Sequence, residues 1–430
     1  MKPTWQNPHL KMSYFSFKKH AKSIIQLTAI LCFFIIPSIS FSQFTKDSLQ
    51  LKKGYFHYGF VHPLEVGGKN AKERNYNFSL NIFNGYTGSI KGAELGFVNL
   101  NKYHVHGFQT GIVNVVQGNS KGVQIGLFTN VNLGTGVGLQ LSGLWTFQQK
   151  KFIGFQFSWF GNTVMDDMYG AQLSHLSNHI QGDMKGIQFA LGPNTVWGNA
   201  QGIQMSATIN IARKWQDGIQ FGFIGNYAKY SKGIQFGAVN IGVQKSGLQI
   251  GLFNYSGDGR TAATLGLINV VRHGYNKIEL WGGEFQSFNL AFKYGGNKLY
   301  SLVSVGTNPF NENKFWTTGW GFGTHITFSK RFYCDIDQIT SLVHINEAFS
   351  FGKGKTTIIN QVRFTCGFEI TPWMAIFIGP VWNSLFSDNN QLVHGNNGIE
   401  LAPTFRTFYG DLNQFKFAIW PGICGGIRFL

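Results

Sequence analysis

Apolar and polar residues alternate with a period of two through the middle of this chain. In the stretch "IQMSATINI", residues 203–211, every odd position is apolar and every even position is polar or small. Successive side chains of a β-strand point to opposite faces of a sheet, so this alternation predicts strands with one apolar and one polar face. The alternation persists for about ten residues before Gly, Asn or Lys interrupts it, and these residues are typical of turns.

The strands belong to an internal repeat that covers residues 91–270. Eleven copies open with a Gly, at spacings of 14 to 16 residues, and a decayed twelfth copy closes the array at Leu265–Asn269. Ten copies carry Gln two residues after the Gly, whereas the first carries Glu94, and ten carry Asn seven or eight residues after the Gly. The positions chosen as structural markers of the repeat are Gly122, Gln124, Gly126, Asn130, Gly218, Gln220, Gly222, Asn226, Gly233, Gln235, Gly237, Asn240, Gly247, Gln249, Gly251 and Asn254.

One architecture compatible with this pattern is an all-β, antiparallel outer-membrane barrel. Ten residues at about 3.4 Å each, tilted by about 45°, cross roughly 24 Å, which suits the apolar band of such barrels. Aromatic residues on the apolar face, such as Phe155 and Phe221, would then contact lipid, and Gln and Asn would line a polar lumen. With the strands on either side of the array, this favoured interpretation predicts one barrel of roughly 22–24 strands.

The alternative is a β-solenoid over the repeat region, followed by a smaller barrel of roughly ten strands. Identical Gln and Asn residues at identical phase are expected where copies stack in parallel, because antiparallel neighbours would not place Gln beside Gln. In this version the apolar face would point into a narrow core. Contacts between neighbouring repeats distinguish the two: antiparallel pairing means a barrel, and parallel pairing in register means a solenoid.

The array divides the chain into four regions. Residues 1–42 resemble an export signal, with Lys18, Lys19 and Lys22 before the apolar stretch Ile24–Ile39 and small residues before Gln43. Residues 43–90 and 271–430 are predicted to hold further strands, longer and more aromatic after residue 277, and the last strand ends at Leu430. The predicted location is therefore the outer membrane, reached through a cleaved leader.

Composition supports a membrane protein. Only 13% of residues are charged, 16% are aromatic and 55 of 430 are Gly, whereas soluble domains average about 25% charged residues. Removal of the leader takes away five Lys from a formal charge of +17 and leaves +12. The predicted partners are outer-membrane lipid and, through this basic excess, anionic glycolipid or polysaccharide; no clustered basic stripe indicates nucleic acid.

The repeat sequences "KGVQIGLFTN", "KGIQFGAVN" and "SGLQIGLFN" resemble the bacterial surface-repeat proteins of the Gly-x-Gln-x-Gly-Leu-x-Asn type. The resemblance extends over about residues 75–330. It implies a place in the outer membrane or on the cell surface, and it brings no catalytic residues. Two departures, Gly192-Pro193-Asn194 and the missing Asn in the Gly138 copy, predict irregular strand pairing at those points.

No motif for reaction chemistry stands out, so the expected function is non-enzymatic, without cofactor or metal: a pore, an envelope component or a repeat-built adhesin on a barrel anchor. "GKGKTT", residues 352–357, lacks the first Gly of a phosphate-binding loop. The pairs His104/His106 and His175/His179 have no third ligand at workable spacing, and the paired acids Asp335 and Asp337 are interpreted as lumen residues. The odd number of Cys after the leader, at 334, 366 and 424, predicts apolar strand residues and no disulfide framework.

Overall fold

A computed structural model describes residues 51–260, 262–308, 315–345, 357–387, 401, 408–412 and 415–429. Leu51–Leu430 forms one compact unit that is almost entirely β-structure. Its first part is a β-solenoid of about twelve turns, and its second part is a closed barrel of eight antiparallel strands. The export signal predicted over 1–42, "GKGKTT" and Leu430 all lie wholly or mainly outside the described residues.

The solenoid contains 24 strands and one short 3-10 helix, Gly68–Glu73. Its strands are β1 Lys52–Lys53, β2 Phe56–Val61, β3 Leu64–Glu65, β4 Arg74–Thr87, β5 Ser89–Asn101, β6 Val105–Val116, β7 Ser120–Asn132, β8 Gly136–Ser142, β9 Trp145–Gln148, β10 Phe152–Ser158, β11 Gly161–Val164, β12 Met168–Ser174, β13 Ser177–Ile180, β14 Met184–Ala190, β15 Asn194–Val196, β16 Ala200–Ser206, β17 Ile209–Gly222, β18 Gly225–Ser231, β19 Ile234–Phe236, β20 Val239–Lys245, β21 Leu248–Ile250, β22 Phe253–Ser256, β23 Ala263–Leu265 and β24 Ile268–Val271.

Neighbouring repeats pair in parallel and in register. Gly154 lies opposite Gly138 and Gly170, and Gln156 lies opposite Gln140 and Gln172. Each turn contributes two strand segments: an opening segment that carries the Gly and Gln, and a returning segment that carries the Asn. The favoured prediction of one antiparallel barrel of 22–24 strands is therefore incorrect, and the alternative of a solenoid followed by a smaller barrel describes the fold.

The face that points inward is the opposite of the one predicted for a solenoid, and only the barrel interpretation places Gln and Asn inside. Gln156, Asn162 and their equivalents are fully buried in the solenoid interior, whereas the apolar residues that alternate with them, such as Phe155, are partly exposed outside. A buried amide is costly only when it lacks hydrogen-bond partners. Stacking in register supplies those partners, because each amide meets its own equivalent in the next turn.

The opening Gly of each copy is required by backbone geometry. At Gly122 φ is +129°, and a Cβ there would lie 2.0 Å from the carbonyl oxygen of Gly107. The same clash recurs at Gly218, where φ is +127° and Gly202 lies behind it. A side chain at these positions would meet both a steric clash and a disfavoured φ.

The two irregular copies keep regular pairing. Thr146 replaces the missing Asn of the Gly138 copy and pairs with Asn130, while its hydroxyl lies 2.8 Å from that of Ser142. Asn194, which follows Pro193, pairs with Asn178. The predicted irregularity at both places is wrong, because the hydrogen bonding between neighbouring strands tolerates Pro193 and Thr146 at these positions.

The second part follows directly. Its strands are β25 Tyr275–Gly283, β26 Phe288–Gly295, β27 Tyr300–Thr307, β28 Phe315–Thr327, β29 Phe332–Ile345, β30 Thr357–Thr371, β31 Met374–Ser387, β32 Phe408–Leu412 and β33 Phe415–Phe429. Each pairs antiparallel with the next, and β33 pairs with both β31 and β25, which closes a barrel of eight strands. The short strand β32 pairs with the first part of β33 outside this ring.

The connections at the two ends of the barrel differ in length. At the end where β25 begins and β33 finishes, the connections 296–299, 328–331 and 372–373 contain two to four residues. At the opposite end the connections are 284–287, 308–314, 346–356 and, before β32, 388–407. Among the described residues, no helix has the length and apolarity to cross a bilayer.

Candidate functional site: buried polar networks and the surfaces around them

A ladder of Gln side chains runs along the solenoid interior. The Nε2 group of each Gln donates a hydrogen bond to the Oε1 atom of the Gln one turn earlier, over 2.7–3.0 Å, from Gln249 down to Gln109. Every step points toward the N-terminal end. The aligned amide dipoles therefore present donor groups at that end of the ladder.

Glu94 terminates the ladder at its donor end. Its Oε2 atom accepts hydrogen bonds from Gln109 and Asn101, both at 2.8 Å, and its Oε1 atom accepts one from Asn81 at 3.1 Å. Burial raises the pKa of Glu94, while these three amide donors act in the opposite direction. A carboxylate suits this position because it accepts hydrogen bonds only, so three donors converge on it without a competing donor.

A second ladder, of Asn side chains, runs in the opposite direction. The Nδ2 groups donate to the Oδ1 atom of the next turn, over 2.8–3.0 Å, from Asn81 to Asn130 and again from Asn162 to Asn269. Most of them also donate to a backbone carbonyl, as Asn162 does to Leu173 at 2.8 Å. Using both N–H groups fixes the orientation of each amide, and the opposed ladders offset each other's dipoles.

The last turn of the solenoid, including the end of the Asn ladder, contacts the barrel. Asn269 Nδ2 donates to Ser301 Oγ at 2.9 Å, and Thr264, which occupies the Gln position of the last turn, accepts a hydrogen bond from the Gly296 backbone at 3.1 Å. Tyr294 donates to the Leu267 carbonyl at 2.8 Å. The solenoid is thus attached to the β26–β27 connection by buried polar contacts.

The barrel interior contains a cluster of six ionised side chains. Three are acids and three are bases, so the cluster is formally neutral, and each is at most 1% exposed: Glu279, Asp335, Asp337, Lys293, Arg363 and Arg428. Lys293 Nζ lies 2.8, 3.0 and 2.9 Å from oxygens of the three acids. Because every charge has more than one opposite partner, the desolvation cost of burying the six groups is largely offset.

The remaining contacts join β25 to the opposite wall of the barrel. Arg363 donates to Glu279 at 3.0 Å and to Asp337 at 2.7 Å. Arg428 donates through Nε to Glu279 at 2.8 Å and also contacts Asp335. Arg363–Glu279 and Arg428–Asp335 cross the lumen, whereas Arg363–Asp337 and Arg428–Glu279 join residues that lie opposite each other on neighbouring strands. The cluster therefore fills the lumen at this height.

Apolar packing fills the lumen beyond the cluster, toward the end with longer connections. Phe285 lies 5.4 Å from Phe315 and 6.4 Å from Trp420, measured between ring centroids. Val343 and Leu385 belong to the same buried group. Across the described residues, the barrel interior is therefore packed with side chains along most of its length.

A shallow basin lies at the mouth with short connections. It has a volume of about 400 Å³ and is lined by residues that include Lys277, His325, Glu369 and Arg428. His325 Nδ1 lies 2.6 Å from Asp335 Oδ1, so the charged cluster reaches the basin. A His–Asp pair can support proton transfer, but the basin-lining residues include no Ser or Cys to act as a nucleophile.

The outer surface of the solenoid divides into two edges. The apolar edge, where each opening segment turns into its returning segment, consists of side chains that are 42–74% exposed: Leu127, Phe128, Leu144, Trp159, Phe160, Leu176, Leu191, Phe223, Ile224, Leu252 and Leu267. The polar edge, on the opposite side, includes Lys150, Lys151, Asp166, Asp167, Asp183, Asn199, Lys214 and Lys232. The solenoid thus has an interior of amide side chains, one polar edge and one apolar edge.

A groove on the polar edge has a volume of about 440 Å³. Its lining includes two aromatic residues, Tyr169 and Trp215, and the charged residues Lys185, Asp217 and Lys232. Lys232 lies 5.0 Å above the Trp215 ring, which also stacks on Tyr230 at 4.5 Å. Aromatic faces beside charged and amide groups are suited to polar ligands with apolar faces.

Cys334 and Cys366 form a disulfide that sequence reasoning missed. They lie directly opposite each other on β29 and β30, with Cα atoms 4.1 Å apart, and both face outward from the barrel. The prediction that all three cysteines are unpaired apolar residues is wrong for these two, whereas Cys424 is free and buried. Three cysteines follow the predicted leader, and this odd number argued against a disulfide. Cys334 and Cys366 become neighbours only when β29 and β30 pair.

The other candidate residues do not assemble into a site. The His104 and His106 rings stack with centroids 6.2 Å apart, and His175 stacks on Trp159 at 3.9 Å while His179 meets Trp197 at 5.5 Å. Within the described ranges, no group of three or more His, Cys, Asp or Glu is placed to hold a metal ion. Asp335 and Asp337, interpreted as lumen residues, do lie inside the barrel.

The marker residues of the repeat divide into two structural roles. The Gln and Asn markers form the two ladders. The second Gly of each marker copy lies close to the side-chain amide of a ladder Asn. A Cβ at Gly126 would lie 2.8 Å from Asn130 Oδ1, and one at Gly251 would lie 2.6 Å from Asn240 Nδ2. No family model, no curated protein sequence and no solved structure matches this chain.

Proposed function

We propose that this protein is a non-enzymatic outer-membrane protein in which the eight-stranded barrel is the membrane anchor and the solenoid is an arm held at its periplasmic mouth. The observation that carries the proposal is the inverted pattern of the barrel wall. Leu290, Val303 and Ile378 point outward with 42–65% exposure, while Glu279, Lys293 and Arg363 point inward and are fully buried. This arrangement suits a barrel surrounded by hydrocarbon.

The orientation follows from the connections. In outer-membrane barrels short turns face the periplasm and longer loops face outside. The end with connections of two to four residues is also the end that holds the solenoid. The arm then lies on the periplasmic side, and the opposite end of the barrel, where β26 begins and β31 ends, faces the exterior.

A filled lumen favours an anchor over a pore. The crossing contacts of Arg363 with Glu279 and of Arg428 with Asp335, and the packing of Phe285 against Trp420, occupy the cross-section at two heights. Eight-stranded barrels have an interior just wide enough for side chains to fill. Solute conduction, included among the functions expected from the sequence, therefore has little structural support here.

The disulfide supports export independently of the predicted leader. Disulfides persist in oxidising compartments such as the bacterial periplasm and are uncommon in the cytosol. The Cys334–Cys366 pair joins adjacent strands of the proposed membrane wall.

A second candidate function is binding of a glycan at the polar edge. The groove that contains Tyr169 and Trp215 favours it, because aromatic stacking faces lie beside two cations and two carboxylates, Lys185, Lys232, Asp183 and Asp217, on an accessible side of the arm. This function is compatible with the anchor, since the groove lies on the opposite side of the solenoid from the apolar edge.

The test of the anchor is expression of the full chain in a Gram-negative host, followed by membrane fractionation and gel electrophoresis without boiling. We expect the protein in the outer-membrane fraction, resistant to urea extraction, with a mobility that changes on heating. In planar bilayers, the purified protein should give no stepwise single-channel currents.

Two results would overturn the proposal. Recovery of the folded chain in the soluble periplasmic fraction would exclude the anchor, and steady unitary conductance would exclude a filled lumen. A variant with Leu290→Arg on the outer wall should fail to insert, whereas Lys214→Arg on the polar edge should behave as the native chain. Arg at mid-membrane costs about 2–4 kcal/mol on the lipid face of a barrel.

A further inference from the structure

We infer that the apolar edge of the solenoid is inserted into the periplasmic leaflet of the same membrane, so that the arm lies along the bilayer surface. This inference rests on the proposed function, because it requires the barrel to span that membrane. A protein surface that exposes a long contiguous row of large apolar side chains indicates a partner. Three observations identify this partner as lipid.

The first observation is the direction of the last turn. Ala263 forms a parallel bridge with Leu299, Thr264 N donates to the Leu299 carbonyl at 3.1 Å, and Gly266 N donates to Ser301 Oγ at 3.2 Å. The opening segment β23 therefore runs in the direction in which the chain enters β27. Because β27 runs from the periplasmic mouth into the barrel wall, the apolar edge at the end of β23 is directed toward the membrane.

The second observation is continuity with the barrel wall. Leu267, the last residue of the apolar edge, is 59% exposed, and its carbonyl accepts the hydrogen bond of Tyr294. Tyr294 stacks on Phe292 at 5.5 Å, and Phe292 is 44% exposed on the outer wall of the barrel. The apolar edge thus joins the lipid-facing wall through an aromatic pair, and Tyr is enriched where membrane proteins cross the interface.

The third observation is a gradient of polarity along several of the opening segments, although Val137 and Ile153 begin two of them. On the outward face, the residue nearest the polar edge is Lys185 in one copy and Asp217 in another. The residue nearest the apolar edge in those copies is Phe189 or Phe221, which are 39% and 48% exposed. The change from charged to aromatic residues takes place within a few residues. It therefore suits an element with one edge in lipid and the opposite edge in water.

The length of the contact distinguishes this arrangement from a local anchor. The apolar edge runs from Leu127 to Leu267 over ten turns, so with about 4.8 Å between turns it is roughly 43 Å long. An edge of that length, held at one end by the barrel, would remain at the membrane even if each turn contributed little. The polar edge and its groove would then face the periplasm.

Depth-resolved fluorescence on the full chain in phosphatidylcholine vesicles tests the inference. A thiol-reactive fluorophore is attached to one introduced cysteine in each variant: Leu176→Cys or Leu252→Cys on the apolar edge, Lys150→Cys on the polar edge and Leu290→Cys on the barrel wall. Quenching is measured with doxyl-labelled lipid and with aqueous iodide. The unsubstituted chain, treated with the same fluorophore, serves as the control for labelling of the buried Cys424.

We expect doxyl lipid to quench the probes at Leu176, Leu252 and Leu290 at least twofold more than the probe at Lys150, and iodide to show the reverse order. Iodide quenching at both apolar-edge positions would overturn the inference and leave the anchor intact if Leu290 still reports lipid. Protection from both quenchers at the apolar edge would also overturn it, because a second copy of the chain would then be the cover. Failure of Leu290 to report lipid would overturn the proposed function itself.

Discussion

Asn269, at the end of the solenoid, donates a hydrogen bond of 2.9 Å to Ser301, at the start of barrel strand β27. Both residues are buried, and the Asn is the last member of a ladder whose steps extend from Asn162. Ser301 also accepts the backbone N–H of Gly266, so one hydroxyl binds two groups of the last turn. These two hydrogen bonds fix the position of the last solenoid turn against β27. They therefore fix the direction in which the solenoid extends from the barrel.

The Gln ladder should be a major source of solenoid stability. Gln204 donates to Gln188 and accepts from Gln220, both at 2.8 Å, so Gln204→Leu leaves one acceptor and one donor unpartnered in a dry interior. Each such group costs about 1–3 kcal/mol. We expect a lower thermal midpoint for loss of the β circular-dichroism signal, together with faster proteolysis within the repeats.

Gln201→Leu is the matched control for that change. Gln201 lies in the same strand but is exposed at the polar edge. Equal destabilisation by the two substitutions would show that the ladder contributes nothing specific.

Gly218→Ala should disrupt stacking of neighbouring turns. Its Cβ would lie 2.0 Å from the Gly202 carbonyl oxygen at a φ of +127°. The unfavourable φ alone costs about 1–3 kcal/mol, and the clash adds to it. We expect increased hydrogen exchange in β16 and β17, whereas Asp217→Ala, one residue away and exposed, should exchange as the native chain does. Unchanged protection in Gly218→Ala would contradict the role given to the opening Gly.

The charged cluster should respond strongly to loss of a single member. Arg363→Met removes the partner that donates to both Glu279 and Asp337 and leaves buried carboxylates with excess charge. Breaking a buried pair by removing one partner costs about 3–5 kcal/mol. The unheated gel band of the variant should therefore convert to the unfolded mobility at a lower temperature.

Arg331→Met provides the comparison, because Arg331 is exposed in the connection between β28 and β29. If the two variants convert at the same temperature, the cluster is not what holds the barrel closed.

The solenoid should lose stability in mild acid. Burial, with a smaller contribution from Arg213, lowers the pKa of His179 from 6.5 to about 4. The unfolded chain therefore takes up a proton at His179 between about pH 6.5 and pH 4 while the folded chain does not, so stability falls as the pH falls through that window.

Replacing the His removes that contribution. In His179→Gln, the decrease of the thermal midpoint between pH 6.5 and 4 should be smaller than in the native chain, whereas Lys185→Gln should leave the decrease unchanged. An identical slope in His179→Gln and the native chain would show that His179 is not the titrating group.

Several features of the fold could be predicted from the sequence. The period of two located the strands, and the 14–16-residue spacing located the turns of the solenoid. Residues 271–430, which were predicted to hold further strands, contain β25 to β33. What alternation does not specify is which face of a strand is buried, because a lipid-exposed strand and a core strand show the same pattern.

The sequence nevertheless held a signal for the buried face. Gln recurs in ten copies, whereas the outward position beside it varies among Phe, Val, Leu, Ala and Ile, as at Phe108, Val123 and Ala171. An interior ladder requires the same residue in each turn, but an outer surface tolerates exchange. The charged cluster left no comparable signal, because Glu279, Asp335 and Arg428 come from β25, β29 and β33, which are far apart in sequence and meet only when β33 closes on β25.

Flotation with lipid vesicles is the most direct test of the proposed membrane anchor. A chain that begins at Gln43, after the predicted leader, is refolded in detergent, mixed with vesicles, freed of detergent and centrifuged through a density gradient. We predict that it floats with the vesicles, withstands urea washing and shows a blue shift of tryptophan emission. A folded, monodisperse chain that stays at the bottom of the gradient in detergent-free buffer, with unshifted emission, would contradict the account.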